Sequence, residues 1–241
     1  MNPMYVYGIV SSGARIPPGL KGLGPSGIVS TVEHKKIAAI VGDVPTDRPL
    51  GLRDDLLAHE NVVDSVAAVT SVLPMRFPAV VEEHGVVEEL LAPNHAHFQD
   101  VLAALEGRVQ FSLKGRFEQD VVLREVVEAD EDIRALQQRV RELPEDASYY
   151  DRVRLGELIV GALEQRRDIE AEKMYERLEP VVADTAAHPP TSPEEVINGA
   201  FLVERDDRRR FEEAVEDLGR EGVGRLRLRL LGPLAPYDFV S

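Results

Sequence analysis

The chain has 241 residues, of which 44% are hydrophobic and only 5% aromatic, enough for one large core or two small ones built mainly from aliphatic side chains. Its net charge of −15 argues against nucleic acid or an acidic membrane surface as a partner, because both would repel it. The sequence contains no cysteine, which excludes disulfides, thiolate nucleophiles and sulfur-ligated metals.

The sequence predicts neither a signal peptide nor a membrane-spanning segment. Its first residues lack the basic and apolar regions of a signal peptide, and no apolar run approaches the roughly 20 residues that span a bilayer. We therefore expect a soluble, cytoplasmic protein.

The N-terminal part of the chain is predicted to form strands. Residues 5–10 predict a first strand, and residues 28–32 and 37–41 predict a β-hairpin with a polar tip.

An amphipathic helix is predicted over residues 52–69. Its apolar residues recur at three- and four-residue intervals and share one face: Leu52, Leu56, Val63, Val66 and Ala67. Asp54 and Asp55 fall in the first turn, where the helix dipole favours negative charge. The apolar run 72–77 follows, and Pro74 within it suits an edge strand because proline has no backbone N–H.

The middle of the chain changes from helical to strand periodicity. A helix is predicted over residues 82–91 and another after Pro93, with Asn94 as its N-cap. Residues 108–114 then alternate apolar and polar side chains, which predicts a half-buried strand.

Long helices and two strands are predicted in the second half. Residues 118–142 and 153–178 have apolar residues at helical spacing and are expected to pair as an antiparallel hairpin. The stripe of the second helix is Leu155, Leu158, Ile159, Ala162, Leu163 and Ile169. It is expected to be core, or a partner groove if the far face is also apolar.

The remaining elements complete the pattern. Residues 185–193 predict a loop, in which Ser192 and Glu195 fit a capping box. Residues 197–203 predict a covered central strand. A charged helix over 206–218 and an alternating strand over 225–231 follow.

This order of elements predicts an α+β protein with antiparallel sheets. The second half, in which helices connect strands that could share one sheet, favours a modified ferredoxin-like domain with a helical-hairpin insertion. We place the boundary between an N-terminal α+β domain, residues 1–106, and this C-terminal domain, residues 107–241.

The sequence gives no catalytic, cofactor-binding or metal-binding motif. His59 and Glu60 resemble the start of a zinc-protease signature, but Val63 stands where the second histidine is needed. His95 and His97 are two residues apart, so on a helix they point in different directions. The glycine-rich loop near Gly22 has neither the Rossmann spacing nor a P-loop lysine, and we therefore expect no cofactor.

Two features suggest contacts with other proteins. Arg225, Arg227 and Arg229 alternate with leucines and would place three cations on one sheet face. Either they form a solvated face paired with helical glutamates, or they dock an acidic partner surface. Arg76, which interrupts the apolar run 72–77, is the fourth candidate partner-binding residue.

Several stretches, taken in order, resemble the GvpL/GvpF family of gas-vesicle proteins. They are Tyr5-Val6-Tyr7-Gly8-Ile9-Val10, Ala38-Ala39-Ile40-Val41-Gly42-Asp43-Val44-Pro45, His59-Glu60-Asn61-Val62-Val63, Val72-Leu73-Pro74-Met75-Arg76-Phe77, Leu113-Lys114-Gly115, Asn198-Gly199-Ala200-Phe201-Leu202-Val203 and Gly232-Pro233-Leu234-Ala235-Pro236-Tyr237-Asp238-Phe239-Val240. Together they cover essentially the whole chain. Pro78, where the family pattern has glycine, is one departure.

The resemblance implies a structural or accessory role in assembling gas vesicles, the gas-filled protein compartments that give cells buoyancy. It implies binding to the small hydrophobic shell protein and to other accessory vesicle proteins, and two α+β domains of which the second is ferredoxin-like. A small-molecule- or haem-binding enzyme of ferredoxin-like fold is the alternative. Nucleic-acid binding through the arginines is disfavoured by the overall charge.

Overall fold

The computed structural model describes residues 3–144 and 146–240. Internal contacts divide the chain into two compact units. The first comprises the residues up to Phe111, Leu202–Arg205 and the residues from Gly232 onward; the second comprises Ser112–Phe201 and Asp206–Leu231. The domain boundary between residues 106 and 107 stays a prediction, because contact density does not test whether either part folds alone.

The first unit contains an antiparallel sheet whose strands differ in length. Its strands among the described residues are β1 (Pro3–Ser11), β2 (Val29–His34), β3 (Ile37–Asp43), β4 (Leu73–Pro74) and β5 (Val80–Glu82). The order is β2-β3-β1-β4, and β5 pairs with another part of β1. Pro74 lies on the edge strand β4, as its missing N–H predicts.

A bulge in β1 decides which side chains face which core. The pairing of β1 with β3 shifts register between Val6 and Gly8. Because a bulge changes the alternation of side chains, Tyr5, Tyr7 and Val10 share one face, while Val6 and Ile9 lie in the core on the other. Both faces of β1 are therefore buried.

Helices cover both faces of this sheet. Helix α1 (Arg53–Ala67) packs Val62, Val63 and Val66 against the tyrosine face, and α2 (His95–Ala104) packs Phe98 and Leu102 against the other. The prediction of α1 is confirmed within two residues at each end.

Two predictions about the segment between these helices were wrong. The expected helix over 82–91 begins later, as a π-helix over Val86–Leu91, because Glu82 ends strand β5. Asn94 stands at the N-cap position of α2 but does not cap it. Its side-chain amide instead donates to the Leu90 carbonyl, so the amide satisfies the end of the preceding helical segment.

The second sheet has the order β7-β8-β6-β9. Its strands, and the helices between them, are β6 (Arg108–Phe117), α3 (Gln119–Ala129), α4 (Glu131–Glu142), α5 (Tyr149–Leu178), β7 (Asp184–Ala187), β8 (Glu195–Glu204), α6 (Arg208–Glu221) and β9 (Leu226–Leu234). A strand–helix–strand–strand–helix–strand sequence is the ferredoxin-like pattern, and the additional helices follow β6. The predicted α+β class, with a modified ferredoxin-like second half, is confirmed.

Three details in this region differ from the sequence-based expectations. Residues 185–193 are not all loop, since β7 occupies Asp184–Ala187. Ser192 does not cap a helix: Glu195 begins strand β8, and its carboxylate accepts hydrogen bonds from the Thr191 amide and hydroxyl. The predicted stripe on α5 is only partly core, because Leu163 is buried whereas Leu158 and Ile169 are exposed.

Among residues 3–144 and 146–240, no helix combines the length and the apolar character needed to cross a membrane.

Candidate functional site

The start of α1 is fixed by one buried carboxylate. Asp55 accepts hydrogen bonds from the backbone amides of Gly51 and Leu52, both at 3.0 Å, and from two guanidinium nitrogens of Arg48. These bonds, led by those from Arg48, hold the pKa of Asp55 far below its usual value. Asp55 therefore does more than complement the helix dipole, because it satisfies amides that precede the helix.

His59 lies one turn further along α1, at the centre of a buried aromatic cluster. Its Nδ1 is 2.9 Å from the Tyr5 hydroxyl and its Nε2 is 2.7 Å from the Tyr237 hydroxyl. The rings of Tyr7 and Phe77 also pack against the imidazole, each with a centroid 5.8 Å away. We call these five residues the His59 cluster.

The surroundings of His59 favour the neutral form of its imidazole. Burial lowers its pKa, with an opposing contribution from the Met75 backbone. A neutral ring has one N–H donor and one acceptor nitrogen, so one tyrosine donates to it and the other accepts from it. Burial also raises the pKa of Tyr5 and Tyr237, which keeps both hydroxyls protonated as this chain of hydrogen bonds requires.

The C-terminal segment is bound to α1 within the first unit. The Ala235 amide donates to the Asp64 carboxylate, in the last turn of α1, at 2.7 Å. Gln110 donates to the Asp238 carboxylate at 2.6 Å and accepts from the Asp238 amide at 3.2 Å. These bonds hold Tyr237 in place to reach His59.

The His59 cluster opens onto two small grooves that meet at Arg76 and Tyr237. The larger, of about 230 Å³, is lined by Leu56, His59, Glu60, Arg76, Phe77 and Tyr237. The smaller, of about 140 Å³, has the same Arg76 and Tyr237 in its wall and is otherwise lined by Leu73, Pro74, Met75, His97, Phe98, Val101 and Val240. We call the two together the Arg76 furrow.

The furrow continues the inward face of α1 onto the surface. Leu52 and Leu56 belong to the same helical stripe as Val63, yet they are 55% and 42% exposed. Arg76 is exposed and makes no hydrogen bond or ion pair with any residue in the described part of the chain. Arg76, which has no ion pair in the described part of the chain, therefore lines the same groove as the exposed Leu56.

The arginines of β9 have a different environment. Arg225 pairs with Glu125 at 3.0 Å and with Glu170 at 3.2 Å, and its guanidinium lies 5.1 Å from the centroid of the Phe117 ring. Burial opposes its charge, but these two glutamates outweigh burial and raise the pKa of Arg225. Arg225 therefore stabilises its own unit.

The two other arginines of the ladder are exposed. Arg227 pairs with Glu118 at 2.7 Å. Arg229 has no ion pair within residues 3–144 and 146–240. The structure thus places Arg227 and Arg229 on the edge strand β9 and Arg225 directly before it, with Arg76 in the other unit. Arg225 pairs with glutamates of α3 and α5, and Arg227 pairs with Glu118 at the N-cap of α3.

Other candidate positions have structural explanations. A cavity of about 640 Å³ includes Lys36 and Arg205, but Arg205 donates to the carbonyls of Ala67, Ala68 and Thr70 and so caps the end of α1. His95 and His97 do not converge, and the His95 ring packs edge-on against His34 instead. The described residues contain no group of three or more side chains placed to hold a metal ion.

Sequence reasoning missed the His59 cluster. The signal was available, because His59 lies three residues after Leu56 and four before Val63, on the stripe assigned to the core. Its two tyrosine partners are 54 and 178 residues away, so no local pattern could identify them.

The fold and the furrow define a class: a two-unit α+β protein with a ferredoxin-like second sheet and shallow apolar grooves on the first unit. Residues 3–241 match the family described as "Gas vesicle synthesis protein GvpL/GvpF". The chain belongs to this family of gas vesicle proteins.

Individual relatives are similar to this chain along nearly its whole length. Gas vesicle protein F of Streptomyces sp. (strain CB03234) is 34% identical over 240 residues, which cover 98% of this chain and 99% of the relative. Gas vesicle protein F of Dolichospermum flosaquae is 26% identical, with 99% and 98% covered. The crystal structure of the gas vesicle protein GvpF from Anabaena sp. PCC7120 has the same fold, with a TM-score of 0.84 at 24% identity and coverage of 100% and 99%.

Proposed function

We propose that this protein takes part in gas vesicle assembly by binding the hydrophobic shell protein and other vesicle proteins in the cytoplasm and at the growing vesicle. The observation that carries the proposal is the Arg76 furrow, where the inward stripe of α1 reaches the surface at the exposed Leu56. Exposed apolar surface next to polar residues is typical of protein-binding sites.

The acidic surface supports the same role. A net charge of −15 makes copies of the protein repel one another, which keeps a chain with exposed leucines from self-associating. By binding the unassembled shell protein, such a chain would lower the concentration of free shell protein that can aggregate.

Co-expression of the shell protein with and without this chain tests the proposal. We expect the soluble fraction of the shell protein to rise when both are present, and the two to co-purify. A soluble fraction that does not change, with no co-purification, would contradict the proposal. The purified protein should also show no visible absorbance; a bound chromophore would favour the alternative of a haem-binding enzyme.

A further inference from the structure

We infer that the Arg76 furrow binds a partner segment in which two apolar side chains flank one carboxylate. The inference rests on the proposed function, for which it specifies the docking surface and the chemistry of the partner. Each of its three parts follows from a different observation: the size of the grooves, their apolar walls, and an arginine that has no ion pair among the described residues.

The size of the grooves favours amino-acid side chains, and not a small molecule, as their occupants. Their volumes, about 230 and 140 Å³, are each below the roughly 300–1,000 Å³ of typical small-molecule sites. Two adjoining grooves of this size suit two neighbouring side chains of one polypeptide segment.

The apolar walls of both grooves indicate that the side chains of the partner segment that enter them are apolar. Leu56 and Phe77 border the larger groove, and Phe98, Val101 and Val240 border the smaller. The floor of the larger groove is rigid, because His59 is 1% exposed and is hydrogen-bonded to Tyr237. A preformed groove loses little entropy when a partner binds.

The positive charge of Arg76 between the grooves indicates that the middle group of the partner segment is a carboxylate. Arg76 belongs to both grooves and has no ion pair within residues 3–144 and 146–240, whereas Arg225 and Arg227 are neutralised by their own unit. Glu60 lines only the larger groove and disfavours an acid there. A guanidinium pairs well with a carboxylate, often through two parallel hydrogen bonds.

Fluorescence anisotropy with the full chain and labelled synthetic peptides tests this chemistry. The probes are Leu-Ala-Ala-Glu-Ala-Ala-Leu and Leu-Ala-Glu-Ala-Leu, which present the three groups on one side in helical or extended form, and the same peptides with Lys in place of Glu. We expect at least one Glu peptide to bind about tenfold more tightly than its Lys counterpart. R76E should reverse this preference, L56D should abolish binding, and R229E, the matched exposed arginine in the other unit, should change neither.

Equal binding of Glu and Lys peptides, no binding of any Glu peptide at millimolar concentration, or an unchanged preference in R76E would overturn the inference. R76Q, which removes the charge without reversing it, should bind both peptides with equal affinity. Thermal melts of each variant establish that it is folded. If L56D instead dissolves a dimer of the wild-type chain seen by size exclusion and no peptide binds, the furrow joins two copies and the inference is wrong.

Capture of the shell protein by the same variants separates this inference from the proposed function. If the wild-type chain captures the shell protein and R76E captures it equally well, the docking surface is wrong while the function stands. If the wild-type chain captures nothing although the peptides bind with the expected preference, the proposed function fails and the chemistry of the furrow stands.

Discussion

The Arg76 furrow and the β9 arginine ladder both present arginine at the surface, but they differ in what surrounds it. In the ladder, Arg225 pairs with glutamates of α3 and α5, and Arg227 pairs with Glu118 at the N-cap of α3. In the furrow, Arg76 lines a groove together with the exposed Leu56 and has no ion pair among the described residues. The absence of a counter-ion alone does not indicate a docking surface, since Arg229 also has no ion pair in the described residues; Arg76 differs because it lines two apolar grooves as well.

The two regions also differ in how they contribute to stability. The furrow is built on the His59 cluster, whose aromatic rings are packed in the first unit, and packing losses in a core are large. The ladder consists of partly or fully exposed ion pairs, each of which contributes little. Four substitutions test this difference, and they are given in order of decreasing cost to stability.

Y5A should have the largest effect. Tyr5 is fully buried against Tyr7, His59 and Phe77, so its removal leaves a cavity and is expected to lower the free energy of unfolding by about 3–5 kcal/mol. Urea unfolding followed by circular dichroism measures this change. Y5F is the matched control, because it keeps the ring and should cost about 1–2 kcal/mol for the lost hydroxyl. A cost below about 1 kcal/mol for Y5A would show that the cluster is not tightly packed.

H59Q should lower the free energy of unfolding by about 2 kcal/mol near neutral pH, because glutamine cannot reach both tyrosine hydroxyls with the geometry of the imidazole.

The size of this decrease should depend on pH. The pKa of His59 in the folded protein lies below the ordinary value of about 6.5, so the unfolded chain binds the proton first as the pH falls. The stabilising contribution of His59 is therefore complete above about pH 6.5 and is lost as the pH falls through the folded pKa.

The difference in unfolding free energy between the wild type and H59Q, measured at intervals from pH 8 to pH 5, should accordingly shrink towards the acid end. Since glutamine does not titrate, subtracting the two curves removes the contributions of all other groups that H59Q leaves unchanged. A difference that stays constant over this range would mean that His59 is not held neutral by burial.

E125Q should destabilise the second unit by about 1 kcal/mol, because Glu125 accepts from both Arg225 and Arg166 in a partly buried setting. E118Q is its matched counterpart on the same ladder. Within residues 3–144 and 146–240, Glu118 forms an ion pair with the exposed Arg227 alone, so its replacement should cost no more than about 0.5 kcal/mol. Chemical denaturation of both variants decides whether burial sets the strength of these pairs, and equal costs would contradict it.

R229E should have the smallest effect on stability, within about 0.5 kcal/mol of the wild type. Its side chain is exposed and has no ion pair in the described part of the chain. A shift in melting temperature of more than a few degrees would reveal a contact that the comparison of the two regions overlooks.

Much of the fold could be predicted from local patterns. The 3.6-residue periodicity located α1, the alternation of leucine and arginine located β9, and Pro74 indicated an edge strand. Errors arose where a polar residue had two possible partners. Ser192 and Glu195 fit a helix cap, but the Glu195 carboxylate instead binds Thr191 at the start of a strand.

The sequence by itself determined the α+β class, the apolar stripe of α1 and, through its ordered motifs, the resemblance to the family. These depend on side-chain spacing and on residue identity, which are local. Only the tertiary structure brought residues 5, 59, 76 and 237 together, and only it showed which arginines are neutralised. Both depend on contacts between residues that are far apart in the chain, and spacing along the sequence does not encode the distance between such residues.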